Sequence, residues 1–77
     1  MSQYDNLIGL RYKQLVHDSK KGMVWRTFEV RSIVDGDQAV TRVWSRRHRV
    51  YVYQITPAAI LADSLENSEM YKIVKKV

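Results

Sequence analysis

The chain has 77 residues, with 13 Lys and Arg against 8 Asp and Glu, a formal net charge of +5, and no cysteine. A chain of this length holds one core and is expected to form one domain over residues 1–77, and the lack of cysteine excludes both a disulfide framework and a thiolate zinc site. Its longest unbroken apolar stretch, Ala58 to Ala62, is far below the roughly 20 residues of a membrane-spanning helix, and the opening MSQYDNLIGL lacks the form of a secretory signal, so a cytoplasmic protein without a membrane partner is expected.

In chain order, LIGLRYKQLV sets Leu10 and Tyr12 against Arg11 and Lys13, the period-2 pattern of a first strand. The run VWRTFEVRSIV, residues 24–34, is rich in β-branched and aromatic residues and is followed by Asp35-Gly36, a favoured two-residue hairpin turn. With those two as the loop, Val34 faces Asp37, Ser32 faces Ala39, Val30 faces Thr41 and Phe28 faces Val43, forming an apolar face. The other face then pairs Arg31 with Val40, Glu29 with Arg42 and Thr27 with Trp44.

A second turn extends this register. A four-residue loop, Arg46 to Arg49, sets Ser45 opposite Val50, Trp44 opposite Tyr51, Val43 opposite Val52 and Arg42 opposite Tyr53. A two-residue loop of Arg47 and His48 keeps the same parity but forces positive φ on an arginine, so the longer loop is preferred. The opposite phase would bury Glu29, Arg31 and Arg42 at a cost of several kcal/mol for each unpaired ion. Arg26 falls on the apolar face between Val24 and Phe28, which predicts a bulge or strand end there.

Next, TPAAILADSLEN predicts a short helix with Thr56 as N-cap, Pro57 at its first position, and Ile60, Leu61 and Leu65 as its apolar face. The tail MYKIVKKV returns to alternation and predicts a last strand. The expected fold class is mostly β, a small five-stranded barrel with one short helix before the last strand. This order of elements, over roughly residues 8 to 76, resembles the SH3-like barrel shared by SH3, Tudor and KOW-type domains. A superfold of that kind implies architecture and not activity. Sm-like RNA-binding rings are similar in element order but begin with a helix where this chain has Gly9 and a strand. QITPAAIL, residues 54–61, resembles the end of the type II dihydrofolate reductases, although Thr56 stands where that family has tyrosine, and no activity follows.

Neither a metal motif nor a phosphate-cradling glycine loop is present. His17 and His48 fall on separate predicted loops as solvated residues, and Asp63, Glu66 and Glu69 serve the outer face of the helix or lie beyond it. A non-enzyme without a cofactor or metal is expected.

Charge is segregated along the sequence: residues 11–53 hold ten Lys and Arg against four acids, whereas residues 54–71 hold three acids and no base. Within the basic part, Arg42, Trp44, Tyr51 and Tyr53 share the predicted exposed face. Arg46, Arg47 and Arg49 sit in the loop at its end, with Arg31 and His48 flanking. Aromatic rings on a sheet stack unpaired bases and arginines neutralise phosphates, so RNA or single-stranded DNA is the expected partner. The same residue types form hot spots in protein interfaces, so a protein-interaction module, whether bound to a partner, inhibiting a host enzyme or self-associating, is the alternative. A methyl-lysine cage is a weaker third reading, because the arginines repel a cation. Burial of Trp44 beneath the helix or the amino-terminal segment is the structural alternative to all three.

Overall fold

Alternation of apolar and polar residues runs through four consecutive strands, and each is joined to the next by a tight turn. The computed structural model describes residues 3–75. A 3-10 turn, Asp5–Leu7, leads into β1 (Arg11–Asp18), β2 (Gly22–Val34), β3 (Gln38–Ser45), β4 (Val50–Pro57), α1 (Ala58–Asn67) and β5 (Tyr71–Lys75). All pairings are antiparallel and the strand order is β4-β3-β2-β1-β5. The fold is therefore mostly β, with five strands and one short helix before the last. Among the described residues no ladder joins β4 to β5, so the sheet there is not a barrel closed by hydrogen bonds; α1 instead touches β3, β4 and β5. Lys76 and Val77, expected to extend the last strand, lie outside the described residues.

The β1–β2 hairpin turns at Ser19 to Lys21. Asp18 Oδ1 accepts from the backbone N–H groups of Lys20 and Lys21 at 2.8 and 3.0 Å, and Gly22 takes φ +78° where a side chain would be strained. Its ladder runs without interruption from Arg11–Glu29 to Asp18–Gly22. His17 pairs with Met23 within this ladder, so it lies on a strand and not on the expected loop. Arg26 likewise sits in regular pairing with Gln14, and neither a bulge nor a strand end falls there. Its charge is met by Asp18 Oδ2 at 3.3 Å.

Between β2 and β3 the expected register holds for Phe28–Val43, Glu29–Arg42 and Val30–Thr41, then slips by one residue. Ser32 pairs with Val40, Ile33 with Ala39 and Val34 with Gln38, in place of the predicted Ser32–Ala39, Arg31–Val40 and Val34–Asp37. Two extra residues compensate for each other. Asp37 drops out of the ladder at the turn, where its carbonyl accepts the N–H of Ala58 at 2.8 Å, and Arg31 bulges from β2. The slip turns Ile33 toward the core in place of Ser32, which a one-residue change of register requires.

The β3–β4 ladder matches the prediction from Ser45–Val50 through Arg42–Tyr53 and continues to Gln38–Pro57. Arg49 nevertheless adopts φ +56°, the conformation that disfavours the shorter loop. Its N–H closes the loop onto the Ser45 carbonyl at 2.7 Å. Because Thr56 and Pro57 still pair with β3, the chain stays extended through them, and the helix begins at Ala58 with Pro57, not Thr56, at the cap.

Leu10, Tyr12, Phe28, Val30, Ala39, Ala58 and Leu61 form the buried core. Tyr12 stacks on its cross-strand partner Phe28 at 5.5 Å and on Tyr71 at 5.9 Å. Burial pushes the Tyr12 hydroxyl pKa up to about 12. The nearby Thr41 hydroxyl partly opposes that rise, but its geometry falls short of a formed hydrogen bond and Thr41 Oγ1 is left unsatisfied. From the helix, Ala58, Leu61 and Leu65 face the sheet, whereas Ile60, expected inward, is 60% exposed.

Candidate functional site

Pairing parity decides what the outer face of the sheet carries. Phe28, Val30, Ala39 and Thr41 point toward the core and α1, so their neighbours along the strands point away. On that outer face stand Tyr51 and Tyr53 of β4, Arg42 and Trp44 of β3, Trp25 and Glu29 of β2, Arg11 and Lys13 of β1 and Lys72 of β5, placed by four ladders.

Among the described residues neither the helix nor the amino-terminal segment covers Trp44, which is 45% exposed; Tyr51 and Tyr53 are exposed as well. Trp44 meets Tyr51 edge to face at 5.0 Å, and the Arg42 guanidinium lies 4.0 Å from the Tyr51 ring centre. The predicted Arg42, Trp44, Tyr51 and Tyr53 thus form one contiguous strip. Arg46, Arg47 and Arg49 occupy the loop at the end of the hairpin, as expected, and His48 is held there by its N–H donating to Ser45 Oγ at 3.3 Å.

Glu29 stands at the centre of the basic side chains. Its carboxylate meets Arg31 Nη1 at 2.9 Å and Arg11 Nε and Arg42 Nη2 at 3.1 Å each. Hydrogen bonds from Arg31 and Arg11 hold the Glu29 pKa below the ordinary carboxylate range. The Arg42 pKa is raised, first by the neighbouring Tyr53 hydroxyl and then by Glu29. One carboxylate therefore fixes three guanidinium groups in place while neutralising only one of their charges.

A second feature escapes prediction from sequence. The β2–β3 ladder stops at Phe28–Val43, and the expected Thr27–Trp44 pair does not form. Below that point the β1–β2 and β3–β4 hairpins diverge around a cleft of about 720 Å³. Trp25 and Trp44 line it together with Lys20, Lys21, Arg46 and Arg47. Asp18, also in its lining, is held ionised by the N–H groups of Lys20 and Lys21 and by Arg26. Trp44 belongs to both the strip and the cleft, and Arg46 and Arg47 join the cleft to the β3–β4 loop. On β5, Lys72 Nζ sits 4.7 Å from the Trp25 ring centre.

Trp25 and the Lys20-Lys21 pair are the members of this surface missed from sequence. The alternation that places Trp44 outward also places Trp25 outward through Glu29 and Thr27, so a signal for Trp25 is present in the strand pattern itself. The acids of the carboxyl-terminal region take the other side: Asp63 and Glu66 belong to α1, which packs on the inner face. Among the described residues no three His, Cys, Asp or Glu side chains gather as a metal site, and no helix is long and apolar enough to cross a membrane. No family model matches this chain, and neither a curated protein nor a solved structure matches it.

Proposed function

We propose that this chain is a small accessory or regulatory protein that binds single-stranded nucleic acid, RNA or DNA, across the outer face of an SH3-like sheet. It does so in the cytoplasm and without catalysis of its own. The supporting observation is the coincidence of exposed Trp25, Trp44, Tyr51 and Tyr53 with Arg and Lys on one face, while the helix acids lie on the other. A single strand offers unstacked bases to the rings and about one phosphate per nucleotide to the cations, and each stacked base contributes about 1 to 3 kcal/mol. The cleft walls guide the strand past Trp44, with Arg46, Arg47, Lys20 and Lys21 on its phosphates. Duplex DNA, whose bases are already stacked, offers these rings nothing comparable.

Titration of fluorescently labelled single-stranded and duplex oligonucleotides at two salt concentrations tests this. Single strands should bind more tightly than duplex, with affinity falling steeply as salt rises. Replacing Arg46 and Arg47 by alanine should lower the slope of log affinity against log salt by about 0.7 for each phosphate that is no longer neutralised. Absence of oligonucleotide binding at about 0.15 M salt, near physiological ionic strength, would refute the nucleic-acid reading and leave the face to a protein partner.

A further inference from the structure

The two edges of the sheet differ in chemistry. β5 carries Lys72 and Lys75, the kind of charge that discourages a further strand from pairing. β4, VYVYQITP, contains no charged residue, whereas β1, β2, β3 and β5 each contain at least one. Its side chains are open to solvent on both faces from Val50 to Ile55, reaching 57% at Tyr53 and 67% at Ile55. Among the described residues its backbone is paired only to β3. An uncovered edge of this length, apolar and flat in charge, is a template for another strand.

We propose that β4 pairs with β4 of a second copy of this chain in an antiparallel, two-fold symmetric arrangement, giving one continuous ten-stranded sheet. The absence of charge on β4 suits it to a second copy. Two molecules of net charge +5 repel one another, and β4 is the strand on which they meet without bringing like charges together, whereas an acidic partner is drawn to the basic outer face instead.

Sequence sets the register. Pro57 has no N–H to donate, so the usable ladder is Val50 to Thr56, and its midpoint is Tyr53. A two-fold axis there sets the two Tyr53 residues opposite each other, Tyr51 opposite Ile55, Val52 opposite Gln54 and Val50 opposite Thr56. Rotation about an axis normal to the sheet keeps every side chain on its own face. The apolar outer residues therefore cover one another, and the strips of Trp44, Tyr51 and Tyr53 from both copies become contiguous. This association does not depend on the nucleic-acid reading and is measured without any oligonucleotide.

Sedimentation of the full chain should give twice the 9.1 kDa monomer mass. Added salt should strengthen the dimer, because it screens the repulsion of the remaining charges. Ile55→Lys, at an exposed position outside the aromatic strip, should give a monomer with unchanged circular dichroism. As the chain has no native cysteine, Tyr53→Cys supplies a unique thiol that should cross-link to its counterpart on mild oxidation. Tyr51→Cys should not, because its two copies are displaced by four residues, about 13 Å, along the strands, beyond disulfide reach. A monomer at all concentrations, a species larger than a dimer, a dimer that survives Ile55→Lys, or equal cross-linking at positions 51 and 53 would each overturn the proposal.

Discussion

β2 pairs with β1 from Gly22 to Glu29 and with β3 from Phe28 to Val34, so its two halves differ in their neighbours. Phe28 to Val34 follows β3, is clasped between β1 and β3 at Phe28 and Glu29, and holds Phe28 and Val30 in the core. Among the described residues Gly22 to Thr27 is paired with β1 alone; Trp25 and Arg26 line the cleft and Met23 is exposed. In the clasped half, Phe28 stacks on Tyr12 of β1 and lies, with Val30, in the core shared by Ala58 and Leu61 of α1. In the open half the same alternation leaves half-exposed rings beside cations. Stability is concentrated in one half and the candidate binding chemistry in the other, on a single strand.

The sharpest way to break this comparison is to place the same charge in each half. Val30→Asp puts an unpaired carboxylate where the side chain is fully buried and should cost more than about 4 kcal/mol, enough to abolish cooperative melting in a domain of this size. Met23→Asp, exposed in the open half, should change stability by about 0.5 kcal/mol or less in the same melt. Equal damage at both positions would show that the open half is also part of the core.

The clasped half also has a pH signature through Tyr12, the β1 partner of Phe28. Its pKa of about 12 in the folded protein lies above the value of about 10 for an unfolded tyrosine, so the folded state holds the proton more tightly. The resulting stability is fully present below pH about 10 and is lost as pH rises through about 12, amounting to at most about 3 kcal/mol. Urea midpoints measured across this range should fall for the wild type and stay flatter for Tyr12→Phe.

For the open half, the expected effects are on binding. Trp44→Ala and Trp25→Ala should each weaken single-strand affinity by about 1 to 3 kcal/mol with little change in salt slope, because they remove stacking and not counterion release. A loss confined to Trp44 would restrict the contact to the β3–β4 strip and exclude the cleft.

The smallest effect belongs to the boundary between the halves, where Glu29 gathers Arg11, Arg31 and Arg42. Its depressed pKa means that its contribution is present above the ordinary carboxylate range and is lost as pH falls through the folded value. Glu29→Gln should therefore flatten the acid limb of the stability profile, by under about 1 kcal/mol because the guanidinium partners are largely solvated. Acid melts of the two proteins that coincide would show the network to be neutral in energy.

Much of the candidate site was legible in sequence because side-chain direction in a strand has period 2. Once charged Glu29 and Arg42 must face solvent, Trp44, Tyr51 and Tyr53 follow them outward, and the four-residue loop preserves that parity. Alternation also located every strand and the helix to within a few residues. It could not say where β3 would leave β2, because Val24 to Thr27 reads as strand whether one neighbour or two are present. That departure creates the cleft and brings Trp25 and Lys20-Lys21 to Trp44. Nor could it foresee that Asp37 would give its carbonyl to the helix N-terminus and leave the ladder, forcing the compensating bulge at Arg31. Strand faces depend on nearest neighbours along the chain, so the order of residues sufficed to assign them up to the bulge at Arg31, beyond which Ile33 takes the core face expected for Ser32. Where pairing stops, which helix residues meet the sheet and how bare β4 is left emerge only on folding, because they depend on contacts between segments far apart in sequence.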